Sequence, residues 1–136
     1  MSWPYFVQLD LNAYHGAMIE KCVEKHPDQA EAFRNAIEKW NEANMPAIVE
    51  IRGLIKARIR VAGALSETQA EAQMREASVA WTQIFLKMLA STTANDWKDA
   101  CTGKYANDTL RALDFQNHRS SILTAVPNVP VRQLRP

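Results

Sequence analysis

The sequence predicts an all-α fold: a bundle of four longer helices, one or two short C-terminal helices and an extended C-terminal tail. Three observations predict it. Apolar residues recur at three- and four-residue steps from Val7 to Met88, which is the period of a helix with one buried face. Helix-boundary residues stand between these runs, at Pro27, Asn44-Met45-Pro46, Gly63 and Ser66. No segment shows the two-residue alternation of a convincing strand pair, and no internal repeat is present.

The first helix is expected over about residues 5–25, with Val7, Leu11, Tyr14, Met18 and Cys22 on one face. Asp10, Asn12, His15, Glu20 and Lys21 fall mostly off that face. Pro27 ends this helix and opens the second, because proline suits a first helical turn and disfavours helix before it. The second helix turns Phe33, Ala36, Ile37 and Trp40 inward, and Asn44-Met45-Pro46 is expected to break it. A third helix then carries Ile48, Ile51, Ile55, Ile59 and Ala62 and closes at Gly63. Ser66-Glu67-Thr68-Gln69 reads as a capping box. It opens a fourth helix with Ala70, Met74, Ala77, Trp81, Ile84 and Met88 inward. Asn95 or Asp96 is expected to cap a fifth, with Trp97, Cys101 and Tyr105 one turn apart. Asn107-Asp108 can cap a last short turn with Leu110 and Leu113. From Phe115 the period fades, and Thr124 to Arg132, with Pro127 and Pro130, reads as extended. Residues 1–115 are thus one helical domain and 116–136 a C-terminal extension. Trp40, Trp81 and Trp97 all fall on apolar faces, as core anchors do.

Composition narrows the function classes. The 136 residues are 47% hydrophobic and 23% charged with a net charge of +1, so one domain with a real core is expected. A near-neutral chain argues against nucleic acid as a partner. The four glycines, Gly16, Gly53, Gly63 and Gly103, are isolated, so no phosphate-binding glycine loop exists. No apolar run is long enough for a membrane span.

Cys22 and Cys101 are the two cysteines, and both fall on apolar faces. In an exported chain they would form one disulfide between the first and fifth helices. Two buried free thiols are the alternative, since cysteine packs as a small hydrophobe. A catalytic thiol needs an exposed, electropositive setting, which neither position offers.

A cysteine late in the first helix, a proline-opened helix ending in Trp40-Asn41, and Trp97 one turn before Cys101 resemble small all-helical proteins exported by Gram-negative bacteria. The resemblance spans residues 14 to 101 and carries over no functional residue. It implies a periplasmic or secreted location, with the signal peptide absent from this chain. Free cysteines would point to the cytoplasm instead.

Chemistry-bearing motifs are few. His15, His26 and His118 are far apart and lack a second ligand at metal spacing, so no metal or other cofactor is expected. The three histidines read as helix-surface residues. The segment Asp10 to Gly16 begins like a calcium loop but puts His15 where the loop needs glycine and Lys21 where it needs glutamate. Glu20 with Glu24, and Glu38 with Glu42, are four apart among lysines, as in ordinary surface charge mixing. Asn107-Asp108-Thr109 is a glycosylation sequon, relevant only in a eukaryotic secretory path. Arg52, Lys56 and Arg60 recur every four residues, with Arg58 close by. They are the candidate partner-binding stripe, or else one solvated helix face.

The leading expectation is a non-enzymatic, exported protein that acts by protein–protein interaction, in the manner of an inhibitor or immunity protein. Its partner would be another protein, with a homo-oligomer as a further option. One alternative is a bundle binding a small apolar ligand among Met18, Met74, Met88 and the tryptophans. The other is an enzyme whose site assembles from several helices.

Overall fold

The computed structural model describes residues 3–93, 101 and 114–135. The expected capping of a fifth helix, the placement of Trp97 and Tyr105, and the turn with Leu110 and Leu113 lie outside these residues. All regular structure among the described residues is helical, so the all-α class holds.

Helix α1 spans Trp3–Val7 and helix α2 Leu11–Lys25. The sequence reading ran them together. The break has a packing reason: Phe6, Val7, Gln8 and Leu9 are all buried. Four consecutive residues of one helix cannot share a face, so the helix must stop for all of them to turn inward. Asp10 then restarts it, its carboxylate accepting from the Ala13 N–H at 3.2 Å. From Leu11 onward the expected face is the buried one, with His15 added to it.

Pro27 opens a 3₁₀ turn, Pro27–Gln29, that leads directly into α3. Helix α3 is the main correction. It runs unbroken from Ala30–Gly63, 34 residues, with Pro46 inside it. At 1.5 Å per residue that is about 51 Å. The second and third expected helices are one because their core faces are in phase. Phe33, Ile37, Trp40, Asn44, Ile48, Ile51, Ile55 and Ile59 step by three and four without a slip across the proline. An interior proline costs about 3 kcal/mol. Burying four isoleucines in that phase returns about 1.5–3 kcal/mol each. Glu42, whose carbonyl loses its N–H partner at Pro46, is exposed and open to water. Asn44, 2% exposed, donates its Nδ2 to the Trp40 carbonyl at 2.9 Å and spans the same turn.

The α3 C-terminus is closed by Ala64 in the left-handed region, φ 50°, with the Leu65 N–H on the Arg60 carbonyl. Gly63 is the last helical residue and does not take that role. The capping box is present in full. Gln69 N–H meets Ser66 Oγ at 3.2 Å, and Ser66 N–H meets Gln69 Oε1 at 2.9 Å. Helix α4, Glu67–Ala90, buries Ala70, Ala77, Thr82 and Phe85, with Met74, Trp81 and Leu89 partly covered. Ile84 and Met88, expected inward, are exposed. The buried row continues through Phe85 and Leu89 instead.

The extended C-terminal tail is also corrected. Helix α5 spans Arg119–Ala125, followed by 3₁₀ turns at Val126–Asn128 and Val131–Leu134. Phe115, Ile122, Val126 and Leu134 are buried in the same core as α1 to α3. Phe6 stacks on Phe115 at 5.5 Å, and Trp40 meets both edge-on at 5.9 and 6.0 Å. Residues 116–135 thus complete the core and do not merely extend from it. Gln8 Nε2 donates to the Leu134 carbonyl at 2.8 Å, which joins the two ends of the described chain.

Candidate functional site

The paired cysteines come first. Cys22 and Cys101 stand at disulfide distance, Cα atoms 5.4 Å apart across 79 residues of sequence, and both are essentially fully buried. Cys101 lies in a helical residue. Such a pairing fits an oxidising compartment. It also leaves neither sulfur as an exposed thiolate, the form that nucleophilic chemistry needs.

The basic stripe is present but already engaged within the chain. Arg52 donates its Nε to the Val7 carbonyl at 2.5 Å and an Nη to the Leu9 carbonyl at 2.6 Å. These acceptors lie where α1 ends and its carbonyls lack helical donors. Burial lowers the Arg52 pKa, and Asp10 nearby opposes that shift. Lys56 reaches Glu67 at 2.6 Å and Glu71 at 3.6 Å, and Arg60 reaches Glu67 at 2.9 Å. The hydrogen bond to Glu67 raises the Lys56 pKa and lowers that of Glu67. Arg58 donates to the Val126 carbonyl at 2.9 Å. On the same helix Glu50 holds Arg119 of α5 through two bonds, at 2.5 and 2.7 Å. Thus α3 is a spine whose charged side chains tie α1, α4 and α5 to it. Arg52, Lys56 and Arg60 are not a free cationic stripe, because each already has a partner inside the chain.

His15 corrects a second expectation. It is 3% exposed, not a surface residue. Its ring lies 5.3 Å from Trp40, edge to face, and 5.7 Å from Tyr14. Neither ring nitrogen has a hydrogen-bond partner among the described residues. Desolvation pushes its pKa down to about 4, so the ring is neutral at pH 7. No group of three metal-ligating side chains occurs among the described residues, and no helix there is long and apolar enough to cross a membrane. The three methionines named for an apolar cavity sit in three settings. Met18 is in the core, Met74 is at the α3–α4 groove and Met88 is exposed.

The sequence reading missed the outer face of α3. Its N-terminal half is charged, with Glu31, Arg34, Glu38, Lys39 and Glu42 exposed. Its C-terminal half exposes apolar residues among charged ones: Met45 is 37% exposed, Leu54 42%, Val49 64% and Val61 85%, with Glu50 and Arg60 exposed beside them. Gly53 and Ala57 lie exposed between them. Beside this face, an open groove of about 470 Å³ runs between α3 and α4, with Val49, Gly53 and Met74 along it and Lys56, Glu71 and Arg75 at its borders. Isolated exposed apolar residues are ordinary, and several of them on one helix are less so. The signal was in the sequence, as Met45, Val49, Gly53, Ala57 and Val61 at four-residue steps. The isoleucine row of the same helix is the more hydrophobic of the two.

No protein-family model, curated protein or solved structure matches the chain.

Proposed function

We propose that this protein is a non-enzymatic docking protein of the periplasm or the extracellular space, and that the C-terminal half of the α3 outer face is its contact surface. The carrying observation is the exposure of Val49 and Val61 on a half-helix whose charged neighbours Glu50, Lys56 and Arg60 are already paired within the chain. Exposed apolar area has a standing cost in water that contact with a partner removes. The α3 spine is fixed by Arg52, Glu50 and Lys56, so the face is presented rigidly and little ordering cost attends docking. The buried cysteine pair supports the oxidising location.

A photo-crosslinking side chain placed at Val49, with a control at Lys39, tests this in the native compartment. The expected result is a discrete adduct from position 49 and none from position 39. No adduct, or the same adducts from both positions, sets the reading aside. A second reading, a small apolar ligand, is favoured by the groove beside Val49 and Met74. Native mass spectrometry of the purified protein is expected to show a co-purified mass if that reading holds, and only the bare chain if it does not.

A further inference from the structure

We infer that the groove between α3 and α4 binds a small amphiphilic anion. Its head lies at Arg52 and Arg75, and its alkyl chain lies along Val49, Gly53 and Met74. This rests on the small-ligand reading above and names the ligand's chemical class.

The charge ladder of the α3–α4 hairpin is the starting point. Antiparallel helices bring residues equally far from their joint to the same level. Arg60 faces Glu67 at 2.9 Å, and one turn further Lys56 reaches Glu71 at 3.6 Å. By the same step of four, the next rung brings Arg52 to the level of Arg75. Two rungs match opposite charges, and the third matches like charges, which repel. Both arginines line the same open groove.

No carboxylate of the groove serves that third rung. Among the described residues that line it, Glu71 is the one carboxylate, and Lys56 holds it. Asp10 acts on Arg52, but it is the N-cap of α2 and not a lining residue of this groove. Arg75 is exposed and takes part in no ion pair among the described residues. Arg52 uses two of its five N–H donors on the Val7 and Leu9 carbonyls. Those bonds hold the guanidinium in place without neutralising its charge. A fixed guanidinium and a second one beside the same groove suit the oxygens of a carboxylate or a phosphate. An anion between them turns the repulsive rung into an attractive one.

The rest of the groove says what the anion carries. Val49, Gly53 and Met74 give it an apolar wall, and Val49 is 64% exposed. From Lys56 to Val49 the groove runs about 10 Å, the reach of a short alkyl chain. Its volume of about 470 Å³ falls within the ~300–1,000 Å³ of small-molecule sites. A bare anion leaves Val49 and Met74 in water, and a neutral chain leaves the like-charged rung as it is. An alkyl carboxylate or alkyl phosphate answers both.

Amide NMR titrations of the oxidised full chain test this with decanoate, decyl phosphate, decyl maltoside and inorganic phosphate, each below any micelle-forming concentration. Decanoate or decyl phosphate is expected to move the amides of Val49, Gly53, Met74 and Arg75, and the tighter of the two identifies the head. Decyl maltoside lacks the charge and inorganic phosphate lacks the chain, so each should bind roughly tenfold more weakly or worse. Arg75→Glu sets a carboxylate opposite Arg52 and completes the ladder. It should weaken anion binding roughly tenfold or more while the thermal midpoint stays or rises. Arg34→Glu, on the charged half of α3, should leave binding unchanged. A maltoside that binds the groove as tightly as the anions overturns the inference and leaves the small-ligand reading standing. Inorganic phosphate that binds as tightly as decyl phosphate also overturns it, as does anion binding indifferent to Arg75→Glu. Groove amides that no probe moves overturn both readings.

Discussion

His15 shows how much one buried side chain can impose. Its neutral ring is held among Tyr14 and Trp40 with its pKa near 4, against 6.5 in the unfolded chain. Between these values the unfolded chain takes up a proton that the folded chain refuses. Stability is therefore fully present above pH 6.5 and falls as the pH drops towards 4, by about 3 kcal/mol in all. Urea unfolding at pH 7 and pH 4.5 checks this, and His15→Leu should flatten the difference. Ala64 is a second residue-scale case. It holds φ 50° without being glycine, at a cost of about 1 kcal/mol. Ala64→Gly should raise the unfolding free energy by about that amount. Neither residue was legible in full. His15 lies next to Tyr14 on the helix, and a period alone assigns it to the margin of the face. The turn after α3 was legible, but its glycine suggested Gly63 where Ala64 takes the left-handed turn.

At the scale of elements, the sequence showed where apolar faces lie better than where helices end. Ser66 and Gln69 announced the α4 start because a cap is local chemistry. Pro46 misled because its penalty is local while the phase of Phe33 to Ile59 is not. Pro46→Ala should restore the N–H to the Glu42 carbonyl and stabilise the fold by ~1–3 kcal/mol, as read from a denaturant midpoint. The basic row of α3 was visible, but its partners were not. An antiparallel hairpin pairs positions equally distant from its joint, so Arg60 meets Glu67 and Lys56 meets Glu71 around the turn at 63–66. Arg52 could not be placed that way, since its acceptors are backbone carbonyls about forty residues upstream. Arg52→Ala should leave the Val7 and Leu9 carbonyls without donors and cost about 2–3 kcal/mol. Arg52→Lys, which cannot reach both acceptors from one planar group, should fall between. Thermal unfolding of the two variants against wild type ranks them.

For the whole molecule, the disulfide constrains a loop of 79 residues. Reduction should lower stability by about 2–4 kcal/mol, seen as a shift of the urea midpoint with and without reductant. Because both sulfurs are buried, a small thiol should cut the bond only as fast as the core opens. The all-α class and the inward cysteines were readable from the sequence. The burial of Ile122, Val126 and Leu134 was not, because short 3₁₀ turns and two prolines carry no helical period. The candidate face was readable only as one of two rows on a single helix. Deciding which row faces water requires knowing where α1 and α5 lie.

The bond from Gln8 to Leu134 has a consequence for biosynthesis. Helices α2, α3 and α4 can meet as soon as residue 90 has left the ribosome. Helix α1 is made before these three, but Phe6 must wait for Phe115, and Gln8 for Leu134, 126 residues further on. Helix α1 can meet Trp40 and Arg52 of α3 at that stage, but its seat is complete only once the C-terminal turns arrive. A holdase that masks this N-terminal stretch should raise the yield of folded protein. A truncation short of Leu134 should leave the Gln8 amide without its acceptor and loosen α1, which then rests on α3 and α4 alone.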